Sequence, residues 1–375
     1  MRLSPSGGEH DRSVVVVGPL PPPIHGAARV TAHVVDDLRS AGAHVVAVDT
    51  SGVDDGSRLR YHLARIRSHG AAARVAWRER RRATAFYIAG AGGLGLWYQA
   101  ALVVAARWAG HRIVFHHHST TYLRRRAAAM GLLTRAGGPR AEHIALCDGM
   151  ARTLKEQYPA VGPVRVCSNA GLYEPMADAA AARRDTDDVL VLGHLGNLAE
   201  DKGLSDVFAT LRRLRADGVA ARLVLGGPLG NADATAQLAA ARAEFGAAVE
   251  HLGPIRPQDV EAFFCGVDVF VFPSRNEAEP LVVLEASRCG VPTIAFDVGC
   301  LASLVVDSEW LVSLAADYPA AAARLVRGLQ DATARAAVRQ AVLDHFAQRH
   351  RTAVDAQRQL RDELQLPRTP KAASC

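Results

Sequence analysis

Short runs of consecutive apolar residues alternate along this chain with segments whose apolar positions recur every three to four residues. "SVVVVGPL" (13–20) is a valine-rich run and reads as a buried strand; "GAARVTAHVVDDLRSAG" (26–42) has helical spacing, and "HVVAVDT" (44–50) returns to a strand pattern. "ATAFYIAG", "RIVFHHH", "EHIALC" and "PVRVCSNA" continue the rhythm, with helical segments between most of them. The polar, alanine-rich passage Gly171 to Asp188 interrupts it and reads as a linker. A second series then runs through "VLVLGHLG", "ARLVLGG", "VEHLGPI", "VDVFVFP" and "VPTIAFDVG", with helices expected near Gly203, Ala232, Pro257 and Pro280. The tail, Ala320 to Leu366, reads as helical.

Continuous apolar strands alternating with helices predict an α/β fold with parallel sheets covered on both faces. The restart predicts two Rossmann-like domains facing across a cleft. Residues 1–178 form the first, 179–340 the second, and 341–375 a helical tail able to pack back on the first. A chain of 375 residues exceeds the usual span of a single core, which points the same way.

Composition narrows the classes. A 49% hydrophobic and 22% charged chain is a folded protein rather than a disordered one. The net charge of +6 is mild and carried almost wholly by arginine, with Lys155, Lys202 and Lys371 the only lysines. The triplets Arg80 to Arg82 and Arg124 to Arg126 read as solvated faces, with a lipid surface or anionic acceptor as the functional alternative. Nucleic acid is not an expected partner, because no aromatic stacking platform accompanies those arginines. The six cysteines form no close CxxC pair or ligand cluster, which favours a reducing cytoplasm over a disulfide framework or zinc knuckle. "LWYQAALVVAARWAG" (96–110) is shorter than a membrane span, so membrane contact, if any, is expected to be peripheral.

Candidate chemistry gathers at strand ends. Gly18 and Gly26 bracket a proline-stiffened loop before a helix, where free backbone amides can receive an anion. His116, His117 and His118 close a strand; adjacent side chains diverge, so the triplet suits a substrate-contacting histidine better than a metal triad. Gly193, Gly196 and Asn197 precede Lys202, a cation placed to neutralise a phosphate. "FPSRNEAEPLVVLEASRCG" (272–290) sets Glu277 in a loop, Pro280 and Leu281 at a helix start, and Glu285 inside the helix. An embedded carboxylate needs a partner, and a ribose hydroxyl pair is a suitable one.

Together these segments resemble the retaining, nucleotide-sugar-dependent glycosyltransferases of family four, which share the two-domain GT-B fold. The resemblance runs from about Val14 to Phe296 and is most specific at Phe272 to Gly290. It implies an acceptor-binding first domain and a second domain holding a nucleotide diphosphate sugar, with no metal and no cofactor beyond that donor. By the resemblance Glu277 contacts the donor sugar, Glu285 the ribose and Lys202 the phosphates, with His118 (or His116, of the same strand parity) beside the transferred sugar. His118, Lys202 and Glu277 are thus the catalytic candidates; Gly26, Gly196, Asn197, Lys202, Glu277, Pro280, Leu281 and Glu285 are the donor-binding candidates. Asn197 stands where the family commonly has an arginine, and Gly299–Cys300 replaces its frequent glycine pair. The implied reaction moves a hexose-like group to a hydroxyl of a growing polysaccharide, a polyprenyl-linked saccharide or a small metabolite. A nucleotide-sugar epimerase and a non-enzymatic nucleotide-sugar-binding module are the alternatives, and a metal hydrolase fits less well.

Overall fold

A computed structural model describes residues 13–22, 25–51, 58–176 and 189–366. The amino-terminal residues 1–12, most of the expected linker (177–188) and the last nine positions lie outside the described residues. The chain divides into two compact units: Met1–Leu172 with Ala353–Cys375, and Tyr173–Thr352.

The first unit contains β1 (Ser13–Gly18), α1 (Gly26–Ser40), β2 (His44–Asp49), α2 (Arg58–Arg78), β3 (Ala83–Gly90), α3 (Gly95–Trp108), β4 (Ile113–His117), α4 (Thr121–Arg124), α5 (Ala128–Gly137), β5 (Glu142–Ala145), α6 (Asp148–Gln157) and β6 (Val164–Val166). The strands form one sheet in the order β2-β1-β3-β4-β5-β6, and every pairing is parallel. Both faces of β1 and β3 are buried, which explains why their sequences are apolar runs without alternation. Gly18 is required by packing: a Cβ there would stand 2.6 Å from that of Ala89 on β3.

The second unit contains β7 (Leu190–Leu195), α7 (Leu204–Ala216), β8 (Ala221–Gly226), α8 (Ala232–Phe245), β9 (Val249–His251), α9 (Val260–Cys265), β10 (Val269–Phe272), α10 (Leu281–Arg288), β11 (Thr293–Phe296), α11 (Leu301–Leu304), β12 (Leu311–Val312) and α12 (Tyr318–Arg327). Its sheet runs β12-β11-β10-β7-β8-β9, again all parallel. The two-residue strand β12 is too short to register as an apolar run.

A last helix, α13 (Ala332–Gln365), ends within the first unit. There Thr84 Oγ1 donates to Leu364 O at 2.5 Å, and Arg112 Nη1 donates to Glu363 O at 2.5 Å. Glu363 and Glu142 share both Arg112 and Arg165, at 2.6 to 3.3 Å. This four-member charge network ties the chain's end to β5 and β6.

Candidate functional site

Each sheet changes winding direction once, and ligands in open α/β sheets gather beyond the carboxyl ends of the strands at that point. In the second unit the reversal lies between β7 and β10, which are neighbours although β8 and β9 intervene in sequence. The loops leaving those two strands carry Gly196 to Lys202 and Pro273 to Glu279. Topology alone therefore brings Lys202 and Glu277 together.

Lys202 Nζ donates to Glu277 Oε1 at 2.8 Å, and Ser274 Oγ donates to the same oxygen at 2.6 Å. Lysine and glutamate are held differently: the Lys202 side chain is 31% exposed, that of Glu277 14%. Gly203, directly after the lysine, adopts φ +78°, and a Cβ there would lie 2.5 Å from Pro273 O. A glycine is needed at that close approach, and it fixes the lysine turn against the β10 loop.

Pro280 caps α10 with extended backbone and Leu281 begins the helix, so the first free amides of α10 open beside the Glu277 loop. Glu285 sits about one turn further in and is buried; Tyr173 OH donates to its Oε1 at 2.8 Å. Glu279 is sealed in the protein, with its carboxylate 3.3 Å from Arg349 Nη2. The burial of Glu279 leaves Glu277 as the more accessible of the two loop glutamates. Arg275 pairs with Asp206 at 2.7 Å and Arg288 with Glu261 at 3.2 Å. Gly196 has open space where a side chain would project, and Asn197 is exposed beside Gly230. His194 on β7 lies behind this region, and burial pushes its pKa down to about 4, so it is neutral.

In the first unit the reversal lies between β1 and β3. A cavity of about 550 Å³ opens there, lined among others by His25, Tyr61, Arg65, Tyr98 and His118. Gly26 opens α1 at its edge, with His25 Nδ1 accepting from Ala28 N at 3.3 Å. β4 ends at His117, so His118 lies just past the strand. His116 and His118 share one side, ring centroids 4.1 Å apart, whereas His117 points to the other and bonds Tyr122 OH at 2.6 Å and His143 Nδ1 at 3.0 Å. Burial pushes the His118 pKa down to about 4 and leaves its Nε2 without a partner. Arg65 donates from Nη1 to Thr50 O at 2.8 Å, while its Nε is buried without a partner.

Tyr173, Ser274 and Arg349, which bond the glutamates, and Arg65, which lines the first-unit cavity, were not singled out in the sequence. Tyr173 and Ser274 had a usable signal, a hydroxyl directly at the end of a core element; the two arginines sit on helices among many similar residues and had none. Among the described residues no group of three or more His, Cys, Asp or Glu side chains is placed to hold a metal ion. No helix among them is long and apolar enough to cross a membrane.

Solved structures share this architecture along nearly the whole chain. HepE of Anabaena, in complex with UDP and glucose, superposes with a TM-score of 0.65 at 17% identity, covering 93% of this chain and 99% of that one. Sucrose-phosphate synthase from Thermosynechococcus elongatus gives 0.67 at 18% identity, covering 94% and 99%. Identities this low establish the fold, which is GT-B: two Rossmann-like α/β domains, as the sequence pattern predicts. Within that class the sequence match is narrower: residues 178–342 match the model of the glycosyl transferases group 1.

D-inositol 3-phosphate glycosyltransferase of Stackebrandtia nassauensis is 38% identical over 182 residues, 45% of this chain and 41% of the relative. The protein of the same name from Pseudarthrobacter chlorophenolicus is 32% identical over 165 residues, 39% of each. The matched region thus spans about two-fifths of these curated relatives.

Proposed function

We propose that this protein is a retaining glycosyltransferase that moves a hexose-like group from a nucleotide diphosphate sugar to an acceptor hydroxyl. The supporting observation is the convergence of Lys202, Glu277 and the α10 amino terminus at the switch point of the second unit. A cation and free amides suit a diphosphate, and a carboxylate beside them suits sugar hydroxyls. Glu285, pre-oriented by Tyr173, takes the ribose.

In this reading the sugar–phosphate bond breaks as the acceptor oxygen bonds the anomeric carbon on the same face, and the departing phosphate oxygen takes the acceptor's proton. Lys202 stabilises the charge growing on the diphosphate; Glu277 holds sugar hydroxyls and is no covalent nucleophile. His118 stays neutral at ordinary pH and serves as a hydrogen-bonding group near the sugar, not as a cation. Asn197 contributes a neutral contact where the family commonly has a charge.

The first-unit cavity is the proposed acceptor site. Arg65, the one arginine lining it among the described residues, favours an acceptor with an anionic group. The partners proposed are a nucleotide sugar and a saccharide, polyprenyl-linked saccharide or small-molecule acceptor, met at the cytoplasmic face of a membrane, without nucleic acid.

The deciding experiment offers purified protein a panel of nucleotide sugars with a mixed acceptor extract, following nucleotide release and sugar-bearing product by mass spectrometry. Transfer is expected. Saturable donor binding with neither transfer nor hydrolysis would instead make the chain a binding module.

A further inference from the structure

One stretch carries a large share of the chain's net positive charge. Residues 58–112 contain eleven arginines, no lysine and one acidic residue, Glu79, for a formal +10; the whole chain carries +6, so the remainder is net acidic by four. The same stretch holds eight of the thirteen large hydrophobic side chains left exposed among the described residues. Charge and exposed apolar surface therefore coincide on α2, α3 and the loops beside them.

Their arrangement on the helices is regular. Leu59, Leu63, Ile66 and Trp77 follow one another at i, i+4, i+7 and i+18 along α2, so they form a single outward stripe. Arg60, Arg67, Arg74 and Arg78 are also exposed and run as a ridge directly beside it. The opposite face, with His69, Ala72 and Ala76, is the one buried. The helix thus has three faces, and only one of them serves the fold.

Helix α3 also turns an apolar stripe outward, Trp97, Ala101, the half-buried Val104 and Trp108 at i, i+4, i+7 and i+11, with a single arginine, Arg107, beside it; Trp108 is 84% exposed. The two helices pack on each other, and His62 Nδ1 on α2 is bonded to Tyr98 OH on α3 at 2.9 Å. The connections β2–α2–β3 and β3–α3–β4 both advance in the same direction across a parallel sheet, so right-handed crossovers put both helices on one face. Their outward stripes share a surface.

We propose that this α2–α3 face seats the first unit on an anionic lipid bilayer. Tryptophan, leucine and isoleucine beside a ridge of arginines match the boundary between acyl chains and anionic headgroups. Neither helix is long and apolar enough to cross a membrane, so both lie along its surface. Charge decides against a second copy of the chain, which would bring its own arginine ridge to the same patch.

Three of the four tryptophans, Trp77, Trp97 and Trp108, belong to this face, while Trp310 is buried elsewhere. Intrinsic fluorescence therefore reports the contact directly. The full chain should float with vesicles of phosphatidylcholine and phosphatidylglycerol but not with phosphatidylcholine alone. Its emission should shift to the blue on mixing, and raised salt should reverse both effects. The combined variant Arg67→Gln, Arg74→Gln and Arg78→Gln should keep the parent melting temperature and lose on the order of a hundredfold in vesicle partitioning. Absence of flotation with anionic vesicles at low salt, or equal binding to neutral ones, overturns the proposal. A blue shift that grows with protein concentration without lipid also overturns it, in favour of self-association. No nucleotide sugar enters the test, so its outcome is separate from that of the transfer assay.

Discussion

Lys202 Nζ and Glu277 Oε1 stand 2.8 Å apart although 75 positions separate them in the chain. The contact exists because β7 and β10 are adjacent at the point where the sheet reverses direction. A partly exposed ion pair contributes at most about 1 kcal/mol to stability, so the pair is better explained by what it faces than by what it holds together.

Lys202→Ala should accordingly leave the melting temperature within a few degrees of the parent while kcat/KM for transfer falls by about 10²- to 10³-fold. Steady-state kinetics beside a thermal melt separates the two effects. Transfer at the parent rate would remove Lys202 from the reaction.

Tyr173 OH orients Glu285, and the two should act on one ligand group. Tyr173→Phe and Glu285→Gln should each weaken nucleotide binding by roughly 5- to 30-fold, the effect of losing a charge-assisted hydrogen bond of about 1–2 kcal/mol. Calorimetry with the nucleoside diphosphate and its 2′-deoxy analogue makes the assignment specific: the parent should discriminate between them, and Glu285→Gln should not.

Arg65 is the test of the acceptor side. Arg65→Gln should raise the acceptor KM about tenfold or more and leave the donor KM unchanged, with a neutral analogue of the acceptor insensitive to the substitution. A rise in the donor KM instead would place Arg65 outside the acceptor site.

His118, His143 and His194 each have a pKa pushed down to about 4 by burial, against an ordinary value of 6.5. Between those values the unfolded chain binds more protons than the folded one, so stability falls as pH falls from 6.5 toward 4 and is fully present above that window. Each histidine should contribute a loss of about 1 kcal/mol between pH 7.5 and 5.5. Urea unfolding across that range measures it, and a flat profile would contradict the neutral buried state.

Gly203→Ala should destabilise the second unit by about 1–3 kcal/mol, since φ +78° is strained for alanine and the added carbon meets Pro273 O. The same change should lower transfer, because the turn carrying Lys202 must shift. A parent-like melt with parent-like kinetics would show the turn to be tolerant.

The strands were legible in the sequence because parallel, doubly covered strands must be apolar without interruption: "VVVV" in β1 and "VFVF" in β10 have no other reading. Lys202, Glu277 and Glu285 stood out because charged residues beside such strands require an explanation. Their partners did not. Tyr173 reaches Glu285 across 112 positions and Arg349 reaches Glu279 across 70, and no local spacing encodes pairings at those distances. The arginine lining the first-unit cavity was hidden for a different reason: in a stretch this rich in arginine, composition gives no means of telling Arg65 from its neighbours.

Glu363, Thr84 and Arg112 carry a consequence for the order in which the protein can be made. The first unit draws its closing contacts from α13, whose last turns leave the ribosome after everything in the second unit has been synthesised. Translation therefore delivers a second unit with all its residues before the first can complete its charge network. During synthesis, the first unit must wait, partly assembled, until the last turns of α13 have emerged.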